Sequence, residues 1–202
     1  MRAPLPWLHA ITDERIARRA DLDAVARGLA EGGGSDLAMH ARGRALTGLE
    51  HYDLSFRLSA FPSFLFVNDR LDIALAVPAA GVQLGHGSLP VSAARALNPR
   101  WWIGKSVHDL PEAEAARADG ADYLVVGPVY ASATHPDRPP LGLERLSEIA
   151  AVGLPVIAIG GITPGRAREV KRAGAYGAAA IRALWDAADP VEAAREMLEE
   201  LQ

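Results

Sequence analysis

The chain has 202 residues, half of them hydrophobic and 23% charged, which is ordinary for a globular protein and long enough for one domain, 1–202, with a sizeable core. A formal net charge of −4 with no basic stripe argues against a nucleic-acid partner. The lack of cysteine excludes disulfides, thiolate nucleophiles and cysteine metal sites, and fits a reducing cytoplasm. The opening MRAPLPWLHAITDE carries too short an apolar run to read as a signal peptide. No stretch approaches the roughly 18 apolar residues of a membrane span, so no membrane partner is expected.

Along the chain, short β-branched or aromatic runs alternate with longer Ala/Leu/Glu/Arg segments of helical period. The pattern predicts strands over 8–12, 36–40, 64–67, 81–84, 102–105, 123–127, 156–159 and 178–181. Helices are predicted over 21–31, 49–58, 70–77, 91–97, 111–119, 143–151, 164–173 and 190–201. Asp189-Pro190 with Glu192 supplies an N-cap, a proline at the first helical position and a capping acid; Thr163-Pro164 repeats the first two. Gly32-Gly33-Gly34 reads as a tight turn between helix and strand, and the proline-rich 131–142 is the one long connection. Eight such strand–helix units imply an α/β fold, a single (β/α)8 TIM barrel, with a doubly wound open sheet as the alternative.

A barrel gathers its functional groups at the C-terminal ends of the strands. Strand 7 ends at Gly160-Gly161 just before the Thr163-Pro164 helix start, and strand 8 ends near Ile181-Arg182. Glycine lets backbone N–H groups approach an anion and a helix start adds partial positive charge, so these four residues are candidates for a phosphate ester; a plain tight turn is the competing reading. Strand 2 ends in His40-Ala41-Arg42-Gly43-Arg44, strand 3 in Asn68-Asp69-Arg70, strand 4 in Gln83-Leu84-Gly85-His86-Gly87-Ser88, and strand 5 in Lys105-Ser106-Val107-His108. Ser132, Thr134 and His135 follow strand 6. Polar groups from five strands are thus expected on one rim.

These segments carry a resemblance. LHAITDE, FVNDRLDIAL, GVQLGHGSLP, IGKSVHDLPEAEAA, GADYLVVGPVY, LPVIAIGGITP and GAYGAAAIRAL resemble, in order, the thiamine phosphate synthase/TenI superfamily over nearly the whole chain. The resemblance implies a (β/α)8 barrel and a small-molecule thiazole phosphate as ligand, and leaves a homo-oligomer open. The synthase branch joins a hydroxymethylpyrimidine diphosphate to a thiazole phosphate using Mg²⁺. The TenI branch aromatises a carboxythiazole phosphate by moving a proton, with no metal.

Residue by residue the two branches divide the chain. A synthase has Gln-x-Arg-x-Lys after strand 2, where this chain has His40-Ala41-Arg42-Gly43-Arg44. The synthase's first metal-binding aspartate falls on Asp69, but its second falls on Ser88, and its strand 6 lysine falls on His135. Two charges that manage a diphosphate are therefore replaced by neutral groups. His-x-Arg-x-Arg, Gly-Ser after strand 4 and Gly-Lys-Ser-Val-His at strand 5 resemble the TenI branch; Pro128, where that branch has a proton-moving histidine, does not. The resemblance taken as a whole implies first a metal-independent, cofactor-free TenI-like tautomerase. A synthase holding Mg²⁺ on Asp69 comes second, and a non-catalytic binding barrel third. With Pro128 unable to move a proton, His135, His40 and His86 are the candidate bases. Arg42, Arg44, Asn68, Ser106, Ser132 and Thr134 are the candidate substrate contacts. His108 reads as a supporting or capping residue, His9 as interior and His51 as solvated.

Overall fold

The computed structural model describes residues 2–131 and 139–202. Eight parallel strands close into a barrel in sequence order: β1 (Leu8–Ile11), β2 (Leu37–Ala41), β3 (Phe64–Asn68), β4 (Gly81–Leu84), β5 (Trp102–Val107), β6 (Tyr123–Val126), β7 (Val156–Ile159) and β8 (Gly177–Ala180). Pairing of β1 with both β2 and β8 leaves no sheet edge, which removes the open-sheet alternative.

Side chains alternate across the barrel wall. Leu37, Met39, Leu65, Val67, Val82, Leu84, Leu124 and Val126 face the helices and form the larger core. Ile11, Ala38, Phe66, Tyr123, Val125, Ile157 and Ala179 fill the interior. Strands buried on both faces read as nearly continuous apolar runs, so the exceptions stand out. His9, His40, Asn68 and Gln83 are buried polar residues on the inward register, with Ser106 a strand away from Gln83. His40 stacks on Phe66 at 5.0 Å, and His9 packs 5.9 Å from Tyr123.

Among the described residues ten helices wrap the barrel: α1 (Glu14–Ala17), α2 (Leu22–Gly33), α3 (Gly48–Leu58), α4 (Leu71–Ala76), α5 (Val91–Leu97), α6 (Leu110–Ala118), α7 (Gly142–Ala150), α8 (Pro164–Arg172), α9 (Arg182–Trp185) and α10 (Pro190–Glu199). Several start as their sequences dictate. Asp189 caps α10 by accepting from the Val191 and Glu192 N–H groups, with Pro190 first in the helix. Thr47 and Glu50 form a reciprocal capping box on α3.

Most predicted elements are present with ends shifted by one or two residues, but three short ones were not predicted: α1, α9 and a 3-10 turn, Gly34–Asp36. The expected Gly32-Gly33-Gly34 turn is smaller than predicted. Helix α2 runs through Gly32 and Gly33 and stops at Gly34, whose φ of 53° lies in the left-handed region. His51, expected in solvent, is buried. It shares the inner face of α3 with Leu54, Ser55 and Leu58, and its Nε2–H donates to the Ala41 carbonyl at 2.9 Å.

Candidate active site

At the C-terminal mouth of the barrel lies a cavity of about 300 Å³. Its wall takes Arg42 and Arg44 from the loop after β2, Asn68 and Asp69 from β3, and Gly85 and His86 from β4. Ser106 and His108 come from β5, Pro128 from beyond β6, Gly160 and Gly161 from β7, and Ile181 and Arg182 from β8. Of the predicted site residues, all of these share one cavity. Ser132, Thr134 and His135 lie outside the described residues.

His40 is the exception. Strand β2 continues one residue past the predicted end, so His40 points into the barrel and is fully buried below the cavity floor rather than on the rim. Both its nitrogens are engaged: Nε2 lies 2.8 Å from His9 Nδ1, and Nδ1 lies 3.1 Å from Asn68 Oδ1. It cannot reach a ligand in the cavity, and its candidacy as a base there is withdrawn. His9 Nε2 in turn sits 3.0 Å from the Pro6 carbonyl.

Two ends of the cavity carry different chemistry. On the β7–β8 side, Gly160 and Gly161 have φ values of +102° and +67°. A Cβ on Gly160 would stand 2.6 Å from Pro128 Cα, and one on Gly161 would stand 2.7 Å from the Ala131 carbonyl oxygen. The pair thus lets the backbone after β6 lie against that after β7, where Val129 N–H donates to the Ile159 carbonyl (2.8 Å) and Tyr130 N–H to the Gly160 carbonyl (3.1 Å). Arg166 reaches back to the Gly161 carbonyl at 2.7 Å while lying over the Tyr130 ring. Beside this loop opens α9, whose Arg182 and Ala183 line the cavity and whose Leu184 and Trp185 N–H groups donate to the Ile181 carbonyl, leaving those of Arg182 and Ala183 without an intrahelical acceptor. A short extra helix after strand 8 is a recurrent phosphate-binding device in barrels. The sequence reading stopped strand 8 at Ile181-Arg182 and so missed it; the unassigned stretch before Asp189-Pro190 was the available signal.

On the β2–β4 side stand two arginines. Thr12 fixes their loop: its Oγ1 accepts the Arg42 N–H at 2.9 Å and lies 2.8 Å from the Arg42 carbonyl. Among the described residues neither the Arg42 nor the Arg44 guanidinium takes part in an ion pair. Burial, and then the neighbouring Arg44, pull the Arg42 guanidinium below its ordinary range, and the more distant Glu14, Asp69 and Asp13 only partly offset them. Asp69 sits at φ +63°, a strained conformation for a residue with a side chain. Its Oδ1 accepts from Gly85 N–H at 2.8 Å and from the Ser88 hydroxyl. Lys105 donates to the Gly85 carbonyl at 2.7 Å and steadies the same loop.

His108, expected as a supporting residue, lines the cavity itself. Its Nδ1–H donates to the Gly127 carbonyl at 2.6 Å, which leaves Nε2 as an acceptor, and its backbone N–H donates to Glu112. Gln83 and Ser106 meet at 3.0 Å.

The buried imidazoles make acid the expected weak point of the fold. Burial pushes His9 from its ordinary 6.5 down to about 4, and pushes His40 and His51 down as well. Their unfolded forms bind protons first as pH falls, so stability is full above about 6.5 and drops from there towards 4. His9 alone contributes on the order of 3 kcal/mol to that fall. Urea unfolding at pH 7.0 and 5.0 checks it: His9→Phe should flatten the difference, and equal wild-type stabilities would contradict it.

The closed parallel barrel with a polar cavity at its C-terminal mouth defines the chain as a (β/α)8-barrel protein with its ligand site in the usual place. Residues 8–184 match the thiamine monophosphate synthase family. The chain is 42% identical to the thiamine-phosphate synthase of Chloroflexus aurantiacus over 94% of its own length and 90% of that protein's. It is 38% identical to the thiamine-phosphate synthase of Pyrococcus furiosus over 94% and 92% of the two chains. A solved structure of thiamine phosphate pyrophosphorylase from Pyrococcus furiosus superposes with a TM-score of 0.83 at 37% identity, covering 96% of this chain and 94% of that one. This chain belongs to the thiamine monophosphate synthase family, within the thiamine-biosynthesis superfamily of enzymes. The relatives favour the transferase activity that the sequence reading placed second over the tautomerase it placed first. Among the described residues no helix is long and apolar enough to cross a membrane.

Proposed function

We propose that this protein is a thiamine phosphate synthase, joining a hydroxymethylpyrimidine diphosphate to a thiazole phosphate with release of pyrophosphate. The observation that supports this reading is one cavity lined by the Gly160-Gly161 loop and α9 at one end and by Arg42 and Arg44 at another, both suited to anions. The arginines follow β2, which stands two places round the ring from β8 and three from β7. A lone monophosphate needs only the Gly160-Gly161 and α9 end; Arg42 and Arg44 then call for a second anion. In this reading Gly160, Gly161, Ile181 and Arg182 hold the thiazole phosphate through their loops. Arg42 and Arg44 hold the diphosphate and take up the charge it gains as the carbon–oxygen bond breaks. Asn68 and Ser106 orient the pyrimidine on the floor, while the thiazole nitrogen forms the new bond to the ring's methylene carbon.

Among the described residues no three acidic, histidine or cysteine groups cluster as a metal site. Mg²⁺ needs only one or two carboxylates when substrate phosphates complete its shell, so Asp69, with the Ser88 hydroxyl beside it, fits such an ion. Bound there, Mg²⁺ would neutralise the leaving diphosphate.

The Asp69–Ser88 contact also supports a second reading. A hydroxyl where a synthase has a carboxylate lowers the demand for metal, as a TenI-like tautomerase would allow. His108 Nε2 and His86 are then the cavity histidines available to move a proton. Incubating the protein with both synthase substrates, with and without Mg²⁺, decides between them. Metal-dependent release of pyrophosphate with formation of thiamine phosphate is the expected result. No pyrophosphate, together with metal-free conversion of a carboxythiazole phosphate, would overturn it.

A further inference from the structure

Below the cavity floor runs a buried line of polar groups: Pro6 carbonyl, His9, His40, Asn68. Its three contacts measure 3.0, 2.8 and 3.1 Å, and each needs one hydrogen between its heavy atoms. The Pro6 carbonyl can only accept, so His9 Nε2 carries a hydrogen. A neutral His9 then has a bare Nδ1, and His40 Nε2 must donate to it. A neutral His40 has then spent its one hydrogen, and its Nδ1 is an acceptor facing Asn68. Two neutral imidazoles bring two hydrogens to three contacts.

The third hydrogen comes either from the Asn68 amide or from an extra proton on the pair, carried by His40 or by His9. Both rings are fully buried, and what packs against His40 is His9, Phe66 and Asn68, none of them anionic. An imidazolium there would be an unpaired buried charge, which costs far more than turning a carboxamide. The two ends of a carboxamide are assigned by their partners, and only NH₂ toward His40 satisfies a neutral line.

We infer that the His9–His40 pair is a positioning device that holds the Asn68 amide with Nδ2 on His40 Nδ1 and turns its Oδ1 to the ligand. Asn68 lines the cavity, so the floor presents an acceptor there. The group recognised is a donor, such as an amino substituent on a heteroaromatic ring, and a ligand carbonyl or ether at that point is rejected by lone-pair repulsion. His40 and His9 touch no ligand; they act through Asn68. The ligand half of this inference rests on the cavity being the substrate site proposed above.

Long-range ¹H–¹⁵N spectra of the full chain with labelled histidine, at neutral pH and without ligand, read the line directly. Expected are two neutral rings, His9 and His40, each with its hydrogen on Nε2; a hydrogen on His40 Nδ1 overturns the inference. Asn68→Asp removes the amide hydrogens, so the His9–His40 pair should then carry one extra proton at the same pH, and a pair left as two neutral Nε2–H rings also overturns it. Should that variant fail to fold, the wild-type spectrum decides alone. Neither measurement needs turnover, so an inactive preparation leaves them readable. For the ligand half, calorimetry compares 4-amino-2-methylpyrimidine with its 4-methoxy counterpart. The amine should bind about tenfold tighter or better. Equal affinities, tighter binding of the ether, or binding of neither overturns that half.

Discussion

Replacing Arg42 by alanine is expected to lower kcat/KM for pyrophosphate release on the order of 10²–10³-fold, the cost of removing a desolvated cation from a bound anion. The loop stays in place because Thr12 holds it through the Arg42 backbone, not its side chain. Folding stability should therefore change little, since among the described residues the cation makes no direct ion pair and feels Glu14, Asp69 and Asp13 only from a distance. Arg42→Lys should recover only part of the rate, because an ammonium lacks the planar two-pronged donor that matches phosphate oxygens. Steady-state kinetics against the diphosphate, with the thiazole phosphate saturating, provides the measurement. A loss of less than about threefold would place the diphosphate elsewhere and remove the argument from two anion ends.

The second large effect lies in stability. Trp185 is the bulkiest fully buried side chain, and with Leu184 it roots the four-residue helix α9. Trp185→Ala is expected to cost about 3–5 kcal/mol through the cavity it leaves. For a chain of this size that lowers Tm by roughly 6–20 °C. Weaker binding of thiazole phosphate should accompany it, since α9 contributes to that end of the cavity. Trp185→Phe is the informative companion. It keeps most of the volume and deletes an indole N–H that has no hydrogen-bond partner among the described residues, so its cost should be well below that of alanine. A Tm change under about 2 °C for the alanine variant would show that the site collapses freely and that Trp185 anchors nothing.

Periodicity carried the barrel because its strands are buried on both faces; side-chain caps mark only α1, α3, α6 and α10, and Thr163, expected to cap α8, makes no such bond. Predicted and observed ends of β4, β7 and α5 agree, and the last two are preceded by Pro155 and Pro90, which restrict the backbone. What it could not carry were features decided by a single residue of register or by a single turn of helix. His40 was placed on the rim because the strand was ended one residue early. In a structure of period two that one residue settles whether a side chain meets solvent or the interior. His51 sits among Glu50, Tyr52 and Asp53, which reads as a wet surface, yet the helical spacing to Leu54, Ser55 and Leu58 turns it inward. Helix α9 has too few residues to show a period at all. The choice between branches also depended on scale. Ser88, His135 and Pro128 were weighed one by one, whereas likeness to synthases is spread over nearly the whole chain.

The two ends of the cavity differ in how they can change over evolutionary time. At one, the wall offers peptide N–H groups and glycine geometry, which every residue type carries or which almost none can replace. Point substitutions there tend either to leave recognition untouched or to break the loop. At the other, Arg42, Arg44, Asp69, His86 and Ser88 present side chains, each separately exchangeable by one codon. Such an asymmetric barrel can keep its hold on a thiazole phosphate while the reaction performed on it is rewritten from the opposite wall.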